Sequence, residues 1–256
     1  MRYKERVPGE LIIDSHYIGR PADFNDRIIQ RRINLVKKIP NFLGREFNLL
    51  EIGCGNGASM LLLSDSIKSC LGVELFEGNK EEFEELKKKL NVSNCEFKVF
   101  DIEKEKLNKR FDRIISFEVI EHLKDENNVK TYYDLLKDGG LAAMSVPNKW
   151  WIFETHGAKL PLLPWNRIPF FSWLPRFIHE KFANARIYTI KRISKLLENA
   201  GFKIISIEYI TAPLDVLKEG RLKSFLLKRV FKGDTTNVPF LSTSIFIVAE
   251  KYVIKN

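Results

Sequence analysis

Short apolar runs alternate with helical patterns from residue 47 to residue 146, and this alternation constrains the fold more than any other feature of the chain. The runs that are typical of buried strands lie at 47–52, 70–75, 95–100, 111–117 and 141–146. Helical patterns between them cover 59–64, 79–90 and 129–136. Strands joined by helices run parallel, because a parallel pair needs a long crossover that covers one face of the sheet. The sequence therefore predicts an α/β fold with helices on both faces of a mostly parallel sheet.

The two ends of the chain add elements to this core. A basic amphipathic helix is predicted at 25–39 and another helix at 189–200. Residues 202–210 and 242–252 are rich in β-forming residues and are expected to pair as neighbours at one edge of the sheet. The length of 256 residues suits a single domain with elaborations.

Composition excludes several classes of protein. With 45% hydrophobic and 29% charged residues, the chain is neither disordered nor fibrous. No window approaches ~18 uninterrupted apolar residues, so no transmembrane helix is expected. The first ten residues lack the apolar core of a secretory signal. Cys54, Cys70 and Cys95 are odd in number and widely spaced, which fits neither a disulfide framework nor a zinc pattern. These features predict a cytoplasmic protein.

A glycine-rich turn follows the first strand of the core. Residues 49–57 read Leu-Leu-Glu-Ile-Gly-Cys-Gly-Asn-Gly, with glycines at 53, 55 and 57. Glycine lets the backbone approach a ligand where a side chain would collide, and ligands of open α/β sheets bind at the carboxyl ends of strands. The G-x-G-x-G spacing argues against a dinucleotide site, and the lack of a following Gly-Lys-Ser/Thr argues against a P-loop.

Glu74 stands at the end of the second predicted strand. A carboxylate in this place can accept hydrogen bonds from both hydroxyls of a ribose. A solvated surface glutamate is the alternative, but the glycine-rich turn favours the ribose role.

These motifs resemble those of the class I S-adenosylmethionine-dependent methyltransferases over about residues 47–209. Residues 49–57 are similar to the cofactor loop of that family, 72–75 (Gly-Val-Glu-Leu) to its acidic strand end, and 100–102 to the strand end whose Asp meets adenine. Residues 111–123 and 135–148 resemble its fourth and fifth strands with their flanking turns. The resemblance implies a Rossmann-like seven-stranded sheet with an antiparallel last strand, in one methyltransferase domain over 1–256.

The resemblance also implies where the cofactor lies. The implied contacts of S-adenosylmethionine are Glu51, Gly53, Cys54, Gly55, Gly57, Glu74, Leu75, Asp101, Ile102, Phe117 and Glu118. The sulfonium is already a good leaving group, so the protein has to align nucleophile, methyl and sulfur, and to remove a proton where the acceptor needs it. The Asn/Asp-Pro-Pro-Tyr motif of amino-group methyltransferases is absent, and Ser-Phe-Glu stands at 116–118 instead.

Glu118, Glu121 and His122 follow the fourth strand and are expected to face the methyl group. Such a cluster could hold a divalent cation such as Mg²⁺, which would lower the pKa of a bound hydroxyl. Ubiquinone-pathway O-methyltransferases and small-RNA 2′-O-methyltransferases carry metal ligands in this E-x-x-E-H pattern and add a downstream His, for which His156 and His179 are candidates. Residues 178–182 resemble the ubiquinone-pathway arrangement more closely. The implied metal set is therefore Glu118, Glu121, His122 and His179, and the implied catalytic set is Glu118, His122 and His179. A metal-free general base and a purely structural role are the alternatives.

Two segments depart from the core pattern. Residues 150–178 contain all four tryptophans and four prolines, and residues 214–232 contain six Lys or Arg. We therefore divide the chain into an N-terminal cover (1–46), an aromatic insertion (150–188) and a basic insertion before the last strand (213–239), around the core. The aromatic insertion could be a satellite core, a substrate lid or a membrane contact. The two segments either lie together on anionic lipid or fold onto each other.

The predicted function is O-methylation of a small or lipid-linked acceptor by a cytoplasmic enzyme, with peripheral membrane contact. RNA 2′-O-methylation is one alternative, supported by the net charge of +9 and by the E-x-x-E-H pattern. A catalytically silent cofactor-binding module, docking a partner through its basic insertion, is another.

Overall fold

The computed structural model describes residues 12–13, 16–17, 23–159, 164–165, 169–214 and 217–252. Its strands are β1 (Ile12–Ile13), β2 (His16–Tyr17), β3 (Gly44–Ile52), β4 (Ile67–Glu74), β5 (Cys95–Val99), β6 (Phe111–Phe117), β7 (Leu136–Pro147), β8 (Ala158–Lys159), β9 (Pro164–Trp165), β10 (Phe202–Thr211), β11 (Thr235–Thr236) and β12 (Ser242–Lys251). Its helices are α1 (Arg27–Lys38), α2 (Ala58–Leu63), α3 (Asn79–Lys89), α4 (Lys130–Leu135), α5 (Arg176–Phe182), α6 (Ile190–Asn199) and α7 (Arg221–Arg229). Most of the predicted cover before residue 23, and residues 160–163 and 166–168 of the aromatic insertion, lie outside the described residues.

The main sheet has the strand order β11-β10-β12-β7-β6-β3-β4-β5. β3 pairs in parallel with β4 and β6, β4 pairs in parallel with β5, and β6 with β7. β12 runs antiparallel between β7 and β10. The predicted Rossmann-like sheet, mostly parallel with an antiparallel last strand, is therefore confirmed.

The predicted count of seven strands is wrong, because the main sheet has eight strands among the described residues. Thr235 and Thr236 of β11 pair antiparallel with Ile210 and Tyr209 of β10. Two residues without an apolar run leave no periodicity for a sequence pattern to detect. β10 and β12 are neighbours as predicted, but β11 forms the edge beyond them.

Alternate residues along the strands fill the two faces of the sheet. Leu50 and Ile114 lie in a core that α4 and α6 cover, whereas Leu49 and Ile115 lie in a second core that α1, α2 and α3 cover. All four side chains are fully buried. Each buried Leu or Ile contributes about 1.5–3 kcal/mol relative to an exposed one. The two cores hold the strand ends in place and confirm the prediction of helices on both faces.

The aromatic and basic insertions pack against each other. Trp151 lies in one cluster with Leu214 and Phe231, and Phe153 and Leu226 pack against that cluster. Both insertions follow strands that run antiparallel to β12, so both leave the sheet at its carboxyl end. This packing is the contact expected if the two segments fold onto each other. Contact of their outer surfaces with lipid stays a prediction. Among the described residues, no helix has the length and hydropathy required to cross a membrane.

Candidate functional site

The turn between β3 and α2 passes through three glycines in the left-handed region. Gly53, Gly55 and Gly57 have φ angles of 69°, 53° and 76°. A Cβ at Gly53 would collide with Val119, and a Cβ at Gly57 would lie 2.5 Å from Phe83. A Cβ at Gly55 would meet no atom of the described residues within 4 Å. Two of the glycines thus pack against the protein, whereas the Cβ position of Gly55 faces open space among the described residues.

The Glu74 carboxylate lies against this turn at the end of β4. Its Oε2 accepts a hydrogen bond from the backbone N–H of Gly55 at 2.8 Å, and its Oε1 accepts one from the N–H of Leu75 at 2.8 Å. Burial raises the pKa of the Glu74 carboxyl. The structure therefore brings the carboxylate that we predicted to bind ribose to the glycine that borders open space.

Glu51 has a different role in the same turn. Its buried carboxylate accepts a hydrogen bond from the backbone N–H of Met60 at 3.0 Å, which satisfies one free N–H in the first turn of α2. Burial raises the pKa of Glu51 to about 8. Cys54 is also buried, with its Sγ against Gly72 of β4. These two side chains support the turn from within the fold.

Asp101 stands beside Glu74, because the N–H of Phe100 donates to the carbonyl oxygen of Glu74 at 2.8 Å. The Asp101 carboxylate accepts a hydrogen bond from the N–H of Glu103 at 2.9 Å and forms an ion pair with Lys104 at 2.9 Å. Ile102 packs against the core, and Leu75 is 40% exposed. The strand ends that carry the predicted adenosine contacts are thus adjacent.

Glu118 follows β6 with a φ of 59°, which is a strained conformation for a side chain of its type. Its Oε1 accepts a hydrogen bond from the Ser145 hydroxyl at 2.8 Å and lies 3.0 Å from Nη2 of Arg32. Arg32 belongs to α1, is 8% exposed, and lies 5.6 Å from the centre of the Phe117 ring. Sequence patterns did not identify Arg32 as a site residue. The sequence feature that could have identified it is its position on the apolar, buried side of a basic amphipathic helix.

A second cluster joins Glu121 and His122 to the aromatic insertion. His156 Nε2 lies 3.5 Å from Glu121 Oε1, and His122 Nε2 lies 3.9 Å from the same oxygen. The two imidazole rings meet edge to face at 5.1 Å. Burial raises the pKa of the Glu121 carboxyl and lowers the pKa of both imidazoles. Of the two downstream histidines considered, the structure places His156 in this cluster.

His179 lies outside this cluster. Its Nε2 is 2.7 Å from Oε2 of Glu154, and both side chains are fully buried. The other oxygen of Glu154 accepts a hydrogen bond from the backbone N–H of His156 at 3.0 Å. His179 therefore contacts the loop that presents His156. No sequence motif singles out Glu154.

Mg²⁺ does not fit the donors of this cluster. One ligand atom from each of Glu121, His122 and His156 lies within 4.8 Å of the others. Two of the three are imidazole nitrogens, whereas Mg²⁺ takes oxygen ligands in an octahedral arrangement. The expectation of Mg²⁺ as an additional cofactor is therefore not supported.

Comparison with known proteins identifies the class. A family model described as a methyltransferase domain matches residues 21–207. The chain is 32% identical over 194 residues to a ubiquinone biosynthesis O-methyltransferase of Pelagibacter ubique, an alignment that covers 65% of this chain and 74% of that protein. It is 34% identical over 97 residues to (S)-coclaurine N-methyltransferase of Papaver somniferum, which covers 37% of this chain and 28% of that protein.

The fold also matches solved structures. An S-adenosylmethionine-dependent methyltransferase of Mesorhizobium loti superposes with a TM-score of 0.60 at 15% identity, over 89% of this chain and 100% of that one. The fold is thus one that S-adenosylmethionine-dependent methyltransferases share. The chain belongs to the family of S-adenosylmethionine-dependent methyltransferase domains.

Proposed function

We propose that the chain transfers the methyl group of S-adenosylmethionine to an oxygen of a small or lipid-linked acceptor. The space beside Gly55, bordered by the Glu74 carboxylate, is the observation that carries this proposal. A ribose in this space would donate its hydroxyls to the Glu74 carboxylate, in place of the backbone N–H groups that donate to it now. Asp101, on the neighbouring strand end, would receive the adenine amino group.

The methyl end of the cofactor would lie toward Phe117 and Glu118. Arg32 supports this direction, because its buried Nε has no hydrogen-bond partner among the described residues. A buried cation with a donor to spare favours an anionic ligand group. We assign Arg32 to the carboxylate of the cofactor or to an acidic group of the acceptor.

Glu118, His122 and His156 are the side chains proposed to serve the acceptor. Glu118 is 18% exposed at its side chain and His122 is 13% exposed, so neither is closed off completely. A carboxylate or neutral imidazole in this place can take the proton of an acceptor hydroxyl as the methyl group arrives. His179 is removed from the proposed catalytic set, because its ring is fully buried against Glu154 and Phe171.

Oxygen is the favoured acceptor atom because the alignment with the O-methyltransferase relative covers 194 residues, whereas that with the N-methyltransferase relative covers 97. We further propose a cytoplasmic enzyme that meets its acceptor at a lipid surface. Leu222 (67% exposed) and Phe225 (59% exposed) lie on one side of α7, and Arg221, Lys228 and Arg229 flank them. Apolar side chains flanked by cations favour the surface of an anionic bilayer.

The experiment that tests the proposed function has two stages. Calorimetric titration with S-adenosylhomocysteine should give saturable binding, and its absence at millimolar concentration would exclude the function. Labelled cofactor is then incubated with separate lipid, small-molecule and RNA extracts. Label in lipid or small molecules supports the proposal, label in RNA alone favours 2′-O-methylation, and binding without any transfer favours a silent module.

Glu74→Ala should weaken S-adenosylhomocysteine binding by about 1–3 kcal/mol, because the ribose hydroxyls lose their acceptor. Glu96→Ala, an exposed carboxylate on β5, is the matched control and should bind as the wild type does. Equal affinity in the two variants would exclude Glu74 from the cofactor site.

A further inference from the structure

A short segment of the chain, residues 183–188, contacts both elements that carry the imidazoles of the proposed acceptor site. Its end is fixed beside β7, because the backbone N–H of Tyr188 donates to the carbonyl oxygen of Pro147 at 2.9 Å. Its middle is fixed by Ala185 and Ile187, which are both buried. The side chains that alternate with these buried residues therefore extend from a backbone of defined position.

Arg186 binds the turn that follows β6. Its backbone N–H donates to the carbonyl oxygen of Glu121 at 3.2 Å, and its Nη1 lies 3.4 Å from the same oxygen. Nη1 also donates to the carbonyl oxygen of Leu123, and Nη2 donates to that of Lys124 at 2.8 Å. A planar guanidinium can reach several carbonyls at once, whereas a lysine ammonium is a single point on a flexible stem. The turn also carries His122, whose backbone is therefore held in place by Arg186.

Asn184 binds the loop of the aromatic insertion on the other side of the segment. Its Nδ2 donates to the carbonyl oxygen of His156 at 3.0 Å, and its backbone N–H donates to that of Gly157 at 3.1 Å. Ala183, the residue before it, forms an isolated antiparallel bridge with Ala158. The loop that presents His156 is therefore held at consecutive residues by this segment.

The rings of His122 and His156 meet edge to face, with their centres 5.1 Å apart, although they belong to elements far apart in sequence. Arg186 holds the backbone of the first and Asn184 that of the second. We infer that Arg186 and Asn184 are positioning residues, which set the spacing of these two side chains. The inference rests on the proposed methyl transfer for the use of that spacing, since both histidines are proposed to serve the acceptor. The spacing itself can be measured without an acceptor.

The first test is an NMR measurement on the full chain without added ligand. The chain has four histidines, so selective labelling of their rings leaves few signals to assign. The wild type should show a nuclear Overhauser contact between the ring protons of His122 and His156. Arg186→Lys and Asn184→Leu should each weaken that contact, because one of the two backbones is no longer held. A wild type that lacks the contact, or a folded variant that keeps it at full strength, would overturn the inference.

Arg113→Lys is the matched control. Like Arg186, Arg113 donates to backbone carbonyl oxygens, those of Asn41, Phe42 and Asp112. It lies near the start of β6, however, at the opposite end from the turn. The same substitution there should leave the contact between the two rings intact. An equal loss in this control would show a general loosening of the fold and would overturn the positioning role.

The second test measures methyl transfer into the extract that accepts label from the wild type. Arg186→Lys should lower the maximal rate by about ten- to a hundredfold, the scale of loss that follows a small misplacement of reacting groups. The KM for S-adenosylmethionine should stay close to that of the wild type, because other contacts hold the glycine turn and Glu74. An unchanged maximal rate with a raised KM would overturn the inference.

The two proposals can fail separately. A wild type that transfers no label to any extract would exclude the proposed methyl transfer, and the contact between the rings would still decide the positioning role. If Arg186→Lys does not fold, Asn184→Leu is measured in its place with the same expected results.

Discussion

Individual carboxylates of the site are held by very different surroundings. Glu74 accepts hydrogen bonds from backbone N–H groups, Glu118 is paired with Arg32, and Glu121 faces two imidazoles. Glu51 is buried against the first turn of α2. Substitution is therefore expected to have a different effect at each of these carboxylates, and two of them give direct tests at the residue scale.

Glu51 makes stability depend on pH. Its pKa rises from 4.5 to about 8 on folding, so between these values the folded chain keeps a proton that the unfolded chain has released. Stability from this group is therefore present at low pH and lost as pH rises through that window. As pH rises from 4.5 to about 8, the unfolding free energy of Glu51→Gln should increase relative to that of the wild type by up to about 1.4 kcal/mol per pH unit. Urea unfolding at about pH 5 and about pH 8 measures this, with the exposed Glu96→Gln as control. An equal pH trend in both variants would contradict the assignment.

The Arg32–Glu118 pair is mostly buried, with side chains 10% and 18% exposed. Arg32→Met should destabilise the protein by about 3 kcal/mol, because Glu118 is left as an uncompensated charge. Adding Glu118→Gln should recover part of that loss. A double-mutant cycle by urea unfolding measures the coupling, and strictly additive effects would show that the two side chains do not stabilise each other.

At the scale of elements, the glycines of the turn between β3 and α2 differ in role: Gly57 packs against the protein, and Gly55 is proposed to border the ligand. Gly55→Ala should cost about 1–2 kcal/mol of stability for its left-handed φ, and it should weaken S-adenosylhomocysteine binding, because the methyl group enters the ligand space. Gly57→Ala should destabilise more, since its Cβ meets Phe83. Gly139, with a φ of 71° and no atom of the described residues within 4 Å of its Cβ position, is the matched control away from the site. Full cofactor affinity in Gly55→Ala would contradict the ligand role, as would an equal loss in Gly139→Ala.

The local pattern of the chain was enough to predict most elements. The strand predicted at 111–117 is observed as Phe111–Phe117, and the helix predicted at 189–200 as Ile190–Asn199. In these elements the apolar side chains recur with the period of a strand or a helix, so the sequence of each element is enough to predict it. β11 was missed because its two residues gain their structure from pairing with β10.

The site was harder to predict where it depends on contacts far apart in sequence. The glycine-rich turn and Glu74 each follow or end a predicted strand, so the local sequence was enough to find them. The structure brings the two together. Whether His156 or His179 lies beside Glu121 depends on how the aromatic insertion folds back. Glu154 contacts both, at the backbone N–H of His156 and at the ring of His179. Spacing along the chain carries no information about that contact.

At the scale of the whole molecule, the two insertions form one cap at the carboxyl end of the sheet, above the proposed acceptor. Their inner side chains pack together around Trp151. Their outer side chains include Phe170 (54% exposed) and Phe177 (77% exposed), besides those of α7. This distribution places exposed apolar surface on the insertions that border the acceptor side.

The chain should therefore sediment with vesicles of phosphatidylcholine and phosphatidylserine at low salt, and not with phosphatidylcholine alone, because each cation near an anionic surface contributes about 1 kcal/mol. Leu222→Ser combined with Phe225→Ser should abolish sedimentation. Ile205→Ser, which removes an exposed apolar side chain from β10, is the control and should leave it intact. Failure of the wild type to bind anionic vesicles at low salt would dismiss the lipid surface.

The position of β12 has a consequence for biosynthesis. This strand follows all the other described strands in sequence, yet it lies between β7 and β10 and is the only described strand that joins them. During translation, β10 and β11 have no place in the sheet until the ribosome has passed Lys251. A message that ends before Ser242 would yield a product with two open strand edges, which invite aggregation. The sheet of such a product would be divided into two parts, so the insertion of β12 is the step that joins them.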